Sequence, residues 1–205
     1  MQASNPAAPA LLLLHGTGGD ENTLLPLGSA IAPGAPLLSP RGKILDHGMS
    51  SFFRRLPKGV IDQQDLDLRT SELFHFVTTA CRTYSLKKQR LVVVGFTNGA
   101  VLTASLLLRY PEAAAGAILI RGMAPFLPEP MPDLHRKPVL LLGGLDDPIV
   151  QTDEAEELAN IFRSANADLT MHWEEAGNTL AQGDVLMAFD WLRRFYLPPR
   201  ASTPQ

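Results

Sequence analysis

The 205-residue chain predicts an α/β fold: a doubly wound, mostly parallel sheet of about six strands with helices on both faces. Three observations carry this. Short apolar runs alternate along the chain with longer stretches of helical periodicity, the sequence form of βαβ units. The runs are nearly continuous in Leu, Val and Ile, as strands covered on both faces are, instead of alternating apolar with polar. A hydrophobic content of 45% at this length supplies one large core and not two, so residues 1–197 are expected to form a single domain.

The elements follow in order. Strands are expected at Ala10 to Leu14, Ala35 to Ser39, Arg90 to Gly95, Gly116 to Ile120, Pro138 to Leu142 and Asp168 to Trp173, each ending in a turn or loop. Helices are expected between them, at Glu21 to Ile31, Asp62 to Tyr84, Asn98 to Tyr110, Thr152 to Ala165 and Gln182 to Phe195. Pro111 pushes Tyr110 out of helical geometry and ends the third. The proline-rich stretch from Pro125 to Pro138 is followed by only two strands, too few for another domain, and reads as a rim over a pocket. Residues 198–205 read as a disordered tail.

Composition excludes several classes of partner. A net charge of -3 leaves no basic footprint for nucleic acid or an anionic membrane. The run Leu11 to Leu14 is too short for a signal-peptide core or a membrane span, and Met1 to Ala10 carries no Lys or Arg. A lone cysteine, Cys81, within a helix, forms no intrachain disulfide and fits a reducing compartment. The expectation is a cytoplasmic protein that binds a small molecule, with a second copy of the chain as a candidate partner. No histidine pair has metal-ligand spacing, and no cofactor is indicated.

In an open parallel sheet, ligands bind beyond the carboxyl ends of the strands. After the first strand comes His15-Gly16-Thr17-Gly18-Gly19-Asp20, a glycine-rich turn with backbone N–H groups free for an anion. A phosphate loop would need a lysine followed by Ser or Thr, and a dinucleotide fingerprint needs a third small residue where Glu21 stands, so the alternatives are a plain tight turn or an oxyanion site. After the third strand, Gly95-Phe96-Thr97-Asn98-Gly99 has the form of the nucleophile elbow of the α/β-hydrolase fold, with threonine where Gly-x-Ser-x-Gly places serine. After the fifth comes Gly143-Gly144-Leu145-Asp146-Asp147-Pro148, where Asp146 or Asp147 could orient a base.

From Leu11 to about Phe195 the chain resembles the phospholipase/carboxylesterase family of α/β-hydrolases, most closely its short bacterial carboxylesterases of the hydroquinone-resistance type. The segments that carry the resemblance are Leu11-Leu-Leu-Leu-His-Gly-Thr-Gly-Gly-Asp-Glu, Ser39-Pro-Arg-Gly-Lys, Phe52-Phe-Arg-Arg-Leu, Asp147-Pro-Ile-Val and Thr170-Met-His-Trp-Glu. The resemblance implies an ester hydrolase with Thr97 at the nucleophile position, Asp147 at the acid and Asn178 at the base. It also implies an oxyanion hole made by the N–H groups of Thr17 and Asn98. Asparagine stands after Ala176-Gly177 where relatives have histidine, and an amide cannot take the hydroxyl's proton as imidazole does. Asn178 could still accept from Thr97 and donate to Asp147. The expected activity is therefore weak or absent ester hydrolysis, with slow ester or thioester hydrolysis through Thr97 as the alternative.

Three other histidines are assigned structural places, His15 in the oxyanion turn, His75 on a helix and His172 within the last strand, while His47, in the long loop after the second strand, could swing over the pocket. The pocket is expected to be lined by His15, Gly16, Leu24, Leu25, Phe52, Phe53, Met123, Pro125 and Phe126. Arg41, Arg54 and Arg55 are expected to add an anion-binding edge for an ester-like ligand.

Overall fold

The computed structural model describes Asn5, residues 8–46 and residues 48–197; His47 and the expected tail at 198–205 lie outside the described residues. Six strands form one sheet: β1 (Ala10–Leu14), β2 (Leu37–Leu38), β5 (Leu91–Phe96), β6 (Gly116–Ile120), β7 (Pro138–Gly144) and β8 (Asp168–Glu174). Their order is β2-β1-β5-β6-β7-β8, and every pairing is parallel. Two further strands, β3 (Ile44–Asp46) and β4 (Met49–Ser51), make a separate antiparallel hairpin. The helices are α1 (Leu25–Ile31), α2 (Gln63–Thr83), α3 (Asn98–Arg109), α4 (Thr152–Ser164) and α5 (Gln182–Tyr196).

Strand pleating divides the apolar runs between two cores. Leu12, Leu14, Leu91, Val93, Ala117, Leu119, Val139 and Leu141 face α2, α3 and α4, while Leu11, Leu13, Val92, Val94, Ile118, Ile120, Leu140 and Leu142 face α1 and α5. All sixteen of these side chains have no exposed surface, which is why their strands carry no polar alternation. At about 1.5–3 kcal/mol for each fully buried aliphatic side chain, this sandwich is the main favourable term in folding.

Two elements are shorter than expected by more than a residue or two at their ends. Helix α1 begins at Leu25 and not Glu21, because Pro26 lacks an N–H and is tolerated only in a first turn. Asp20 meanwhile closes a side-chain turn, accepting from Asn22 N–H at 2.8 Å. Strand β2 is held to Leu37–Leu38 by Pro36 and Pro40, neither of which can donate to a ladder. The β3–β4 hairpin occupies a stretch that the sequence assigns to loop; its turn includes Gly48 at φ 81°, and its strands are too short and mixed to give a period. The proline-rich segment packs against the α2, α3 and α4 side of the molecule: Gln63 Nε2 donates to Pro125 O at 2.7 Å, Arg109 lies over the Phe126 ring, and Leu134 is buried.

Candidate active site

Parallel register brings the strand ends to one edge. Leu14 pairs with Gly95, Phe96 with Ile120, and Ile120 with Leu142. The ladder continues one step further, with Thr97 N–H donating to Ile120 O and Arg121 N–H to Leu142 O, both at 2.9 Å. His15, Thr97 and Arg121 therefore emerge side by side, next to the loops after β7 and β8.

Thr97 sits between β5 and α3 with φ 48° and ψ -107°, a left-handed conformation that costs a β-branched residue about 1–3 kcal/mol. The turn is sharp enough that a Cβ on Gly95 would lie 2.4 Å from Gly99 O, and one on Gly99 would lie 2.0 Å from Leu14 O. Glycine is thus required on both sides of the elbow, as the motif implies. The Thr97 hydroxyl is packed over Gly16, where an added Cβ would approach it to 2.4 Å.

Above the elbow, the His15 turn is pinned on three sides. Gly42 N–H donates to His15 Nε2 at 3.0 Å, so the ring proton is on Nδ1, which donates to Gly16 O at 2.7 Å. His15 is buried and packs on the Phe52 ring at 4.5 Å. Gly18 N–H donates to Ser50 O of the hairpin, and Gly19 N–H to Gly16 O. Among the described residues, the backbone N–H groups of Thr17 and Asn98 donate to no protein acceptor. Asn98 opens α3, whose dipole adds positive potential there. Its side chain is turned away: Oδ1 accepts from Phe52 N–H at 3.1 Å, and the buried Nδ2 has no partner.

Asp147 rather than Asp146 faces the loop after β8. Its Oδ1 accepts from Ile149 and Val150 N–H at 2.8 and 3.1 Å, and its Oδ2 accepts from Asn178 Nδ2 at 2.8 Å. Asp146 is exposed. The expected link from Thr97 to Asn178 is absent: no hydrogen bond joins them among the described residues. A β-branched side chain has few χ1 choices, and the one adopted sets Oγ1 over Gly16.

The residues read as pocket wall do not all share one cavity. Arg41 and Phe52 line a recess of about 120 Å³ with Pro40, Lys43, Arg69 and Leu73. Phe126 lines another, bounded by Gln63, Arg109 and Pro130. Met123 packs partly buried against the core. Leu24 and Leu25 join the α1 and α5 core, and Phe53 has no exposed surface. The cationic edge is compensated. Arg41 pairs with Asp20 and Glu21, and its hydrogen bond holds the Glu21 carboxyl below the usual range. Arg54 pairs with Asp62 and Asp65, while Arg55 Nη1 donates to Gly59 O.

His172 pairs with Glu174 at 3.1 Å on the edge strand β8, and His75 is exposed on α2. The residue missed by the sequence reading is Arg121. It is wholly buried, and it ion-pairs with Asp184, the third residue of α5, beside the Asn178 loop. Its signal was an arginine directly after an apolar strand at the edge where function collects.

Known proteins are similar to this chain in sequence and in fold. A model of the phospholipase/carboxylesterase family matches residues 1–187. The chain belongs to the phospholipase/carboxylesterase family. Among related members, the putative hydrolase MhqD of Bacillus subtilis (strain 168) is 42% identical over 183 residues, covering 89% of this chain and 92% of that protein. The Bacillus cereus carboxylesterase structure superposes with a TM-score of 0.91 at 41% identity, covering 95% of this chain and 92% of the other. The structure of YahD with malic acid gives 0.88 at 29% identity, covering 94% and 96%. The family's α/β-hydrolase fold is therefore present over nearly the whole chain.

Proposed function

We propose that this carboxylesterase-family protein binds a small ester-like or carboxylate ligand at Thr97 and turns it over feebly or not at all. The observation that supports this most directly is the 2.8 Å hydrogen bond from Asn178 Nδ2 to Asp147 Oδ2. An amide stands where proton transfer to and from the attacking hydroxyl would need an imidazole. What is left of the chemistry is electrophilic: two free N–H groups at the start of α3 and in the His15 turn, which suit a carbonyl or carboxylate oxygen. The malic acid named for the YahD structure is a ligand of this class.

A cytoplasmic location belongs to the same reading; no described helix is long and apolar enough to cross a membrane. The test is steady-state hydrolysis of short p-nitrophenyl esters, together with calorimetric titration of short-chain carboxylates, malate included. Saturable binding with hydrolysis near the uncatalysed rate is expected. A kcat/KM within the ordinary enzyme range, about 10⁴ M⁻¹s⁻¹ or more, would overturn the reading. A second reading, slow hydrolysis by Thr97 with water carrying the proton, is favoured by the partial exposure of Thr97 at the elbow. It is distinguished by loss of residual activity in Thr97→Ala.

A further inference from the structure

We propose that Arg121, locked by Asp184, is the positioning residue for position 178: it grips the backbone on both sides of Asn178 and aims that side chain at Asp147. The guanidinium has five N–H donors in a fixed plane. All are used. Nε donates to Gly177 O at 3.0 Å, Nη2 to Thr179 O at 3.1 Å, Nη1 to Leu142 O at 3.2 Å, and Nη1 and Nη2 to the two Asp184 oxygens at 3.0 and 2.8 Å. With the carbonyls of residues 177 and 179 both turned to Arg121, the side chain between them is left to reach Asp147.

Asp184 adds a further tie, accepting from Ala181 N–H at 2.8 Å and so holding the loop's end to the start of α5. The same carboxylate thus fixes both the fork and the helix that follows the loop. Gly144 makes the approach feasible, since a Cβ there would lie 2.9 Å from Arg121 Nε and 2.5 Å from Ala176 O. Arg121 itself is presented at φ 54°, at the end of β6.

Stability alone does not account for this cluster. A fully buried ion pair carries a desolvation cost that an apolar pair of similar volume avoids, so it is weak evidence for stabilisation. What an apolar pair could not do is hold the carbonyls of Gly177 and Thr179 at set positions on either side of Asn178. Arg121 touches neither Thr97 nor Asp147 through any hydrogen bond, and it acts on the site only through the loop.

The inference rests on the assignment of Asn178 to the base position, and the test separates the two. In ¹⁵N-labelled full-length protein, the Asn178 side-chain amide signals are identified by their loss in Asn178→Ala. They are then followed in Arg121→Lys, which keeps the charge but not the fork, and in the double variant Arg121→Met/Asp184→Leu, which removes both charges and keeps an apolar core. The expected result is that the Asn178 amide protons lose their hydrogen-bonded shift in both. In a Thr97→Ser/Asn178→His background, the same changes are expected to lower kcat by roughly tenfold to a hundredfold and to move the pH profile, with KM nearly unchanged. Asn178 signals and kcat that stay unchanged in Arg121→Lys would overturn the clamp. If that background is inactive with Arg121 intact, the base assignment fails, and the amide shifts still decide the clamp.

Discussion

In the proposed function, threonine at position 97 and asparagine at position 178 each preserve part of a hydrolytic site and remove a different part of its chemistry. Thr97 retains a hydroxyl but holds it over Gly16 in a left-handed backbone conformation. Asn178 retains the bond to Asp147 but offers no proton acceptor comparable to imidazole. Thr97→Ser removes the methyl group and the χ1 restriction, and is expected to stabilise the fold by about 1 kcal/mol through relief of strain, read as a higher urea midpoint. By itself it leaves hydrolysis unchanged. Asn178→His alone supplies a base to a hydroxyl that faces elsewhere. Because nucleophile and base act as a unit, the double variant is expected to exceed the product of the two single effects in kcat/KM, by roughly 10³-fold or more over the native chain. Equal activity of the native protein and the double variant would refute the account of a degenerate triad.

The elbow works as an element because β5, α3 and β1 approach one another without side chains between them. A Cβ on Gly99 would meet the backbone carbonyls of Leu14 and His15 at 2.0 and 2.7 Å, groups that cannot swing aside. Gly99→Ala is therefore expected to destabilise the protein by about 3 kcal/mol or more, since strand β1 or helix α3 must shift. Thermal unfolding within a degree or two of the native protein would count against this geometry. Helix α2 provides a milder case. Its N-cap Asp62 accepts from Asp65 N–H at 3.2 Å, and Asp62→Ala is expected to cost about 1 kcal/mol with no change in ligand affinity. A larger loss would show that the Asp62 ion pair with Arg54 also contributes.

At the scale of the whole molecule, Tyr196 ties the end of α5 to the start of β6. Its hydroxyl donates to Ala115 O at 2.9 Å, and burial raises the phenol's pKa well above its ordinary value. The folded state therefore keeps this proton where the unfolded state gives it up. The contribution is complete below the unfolded value of roughly 10 and falls as pH rises beyond it, by at most ~1.4 kcal/mol per pH unit. Tyr196→Phe is expected to be less stable than the native protein at pH 8 and to close that gap by pH 11, in paired denaturant titrations; a constant gap would refute the link. The sequence by itself determined the strand and helix order, the two glycines of the elbow and the identities at positions 97, 147 and 178, because burial on two faces and close backbone approach leave local marks in residue type. Only the tertiary structure decided which apolar side chains serve a core instead of a pocket, that Arg41 is neutralised by Asp20 and Glu21, and that Thr97 does not reach Asn178. It alone paired Arg121 with Asp184, sixty-three positions along the chain, since an ion pair across a parallel sheet depends on register and on the packing of α5, and neither is encoded by local spacing.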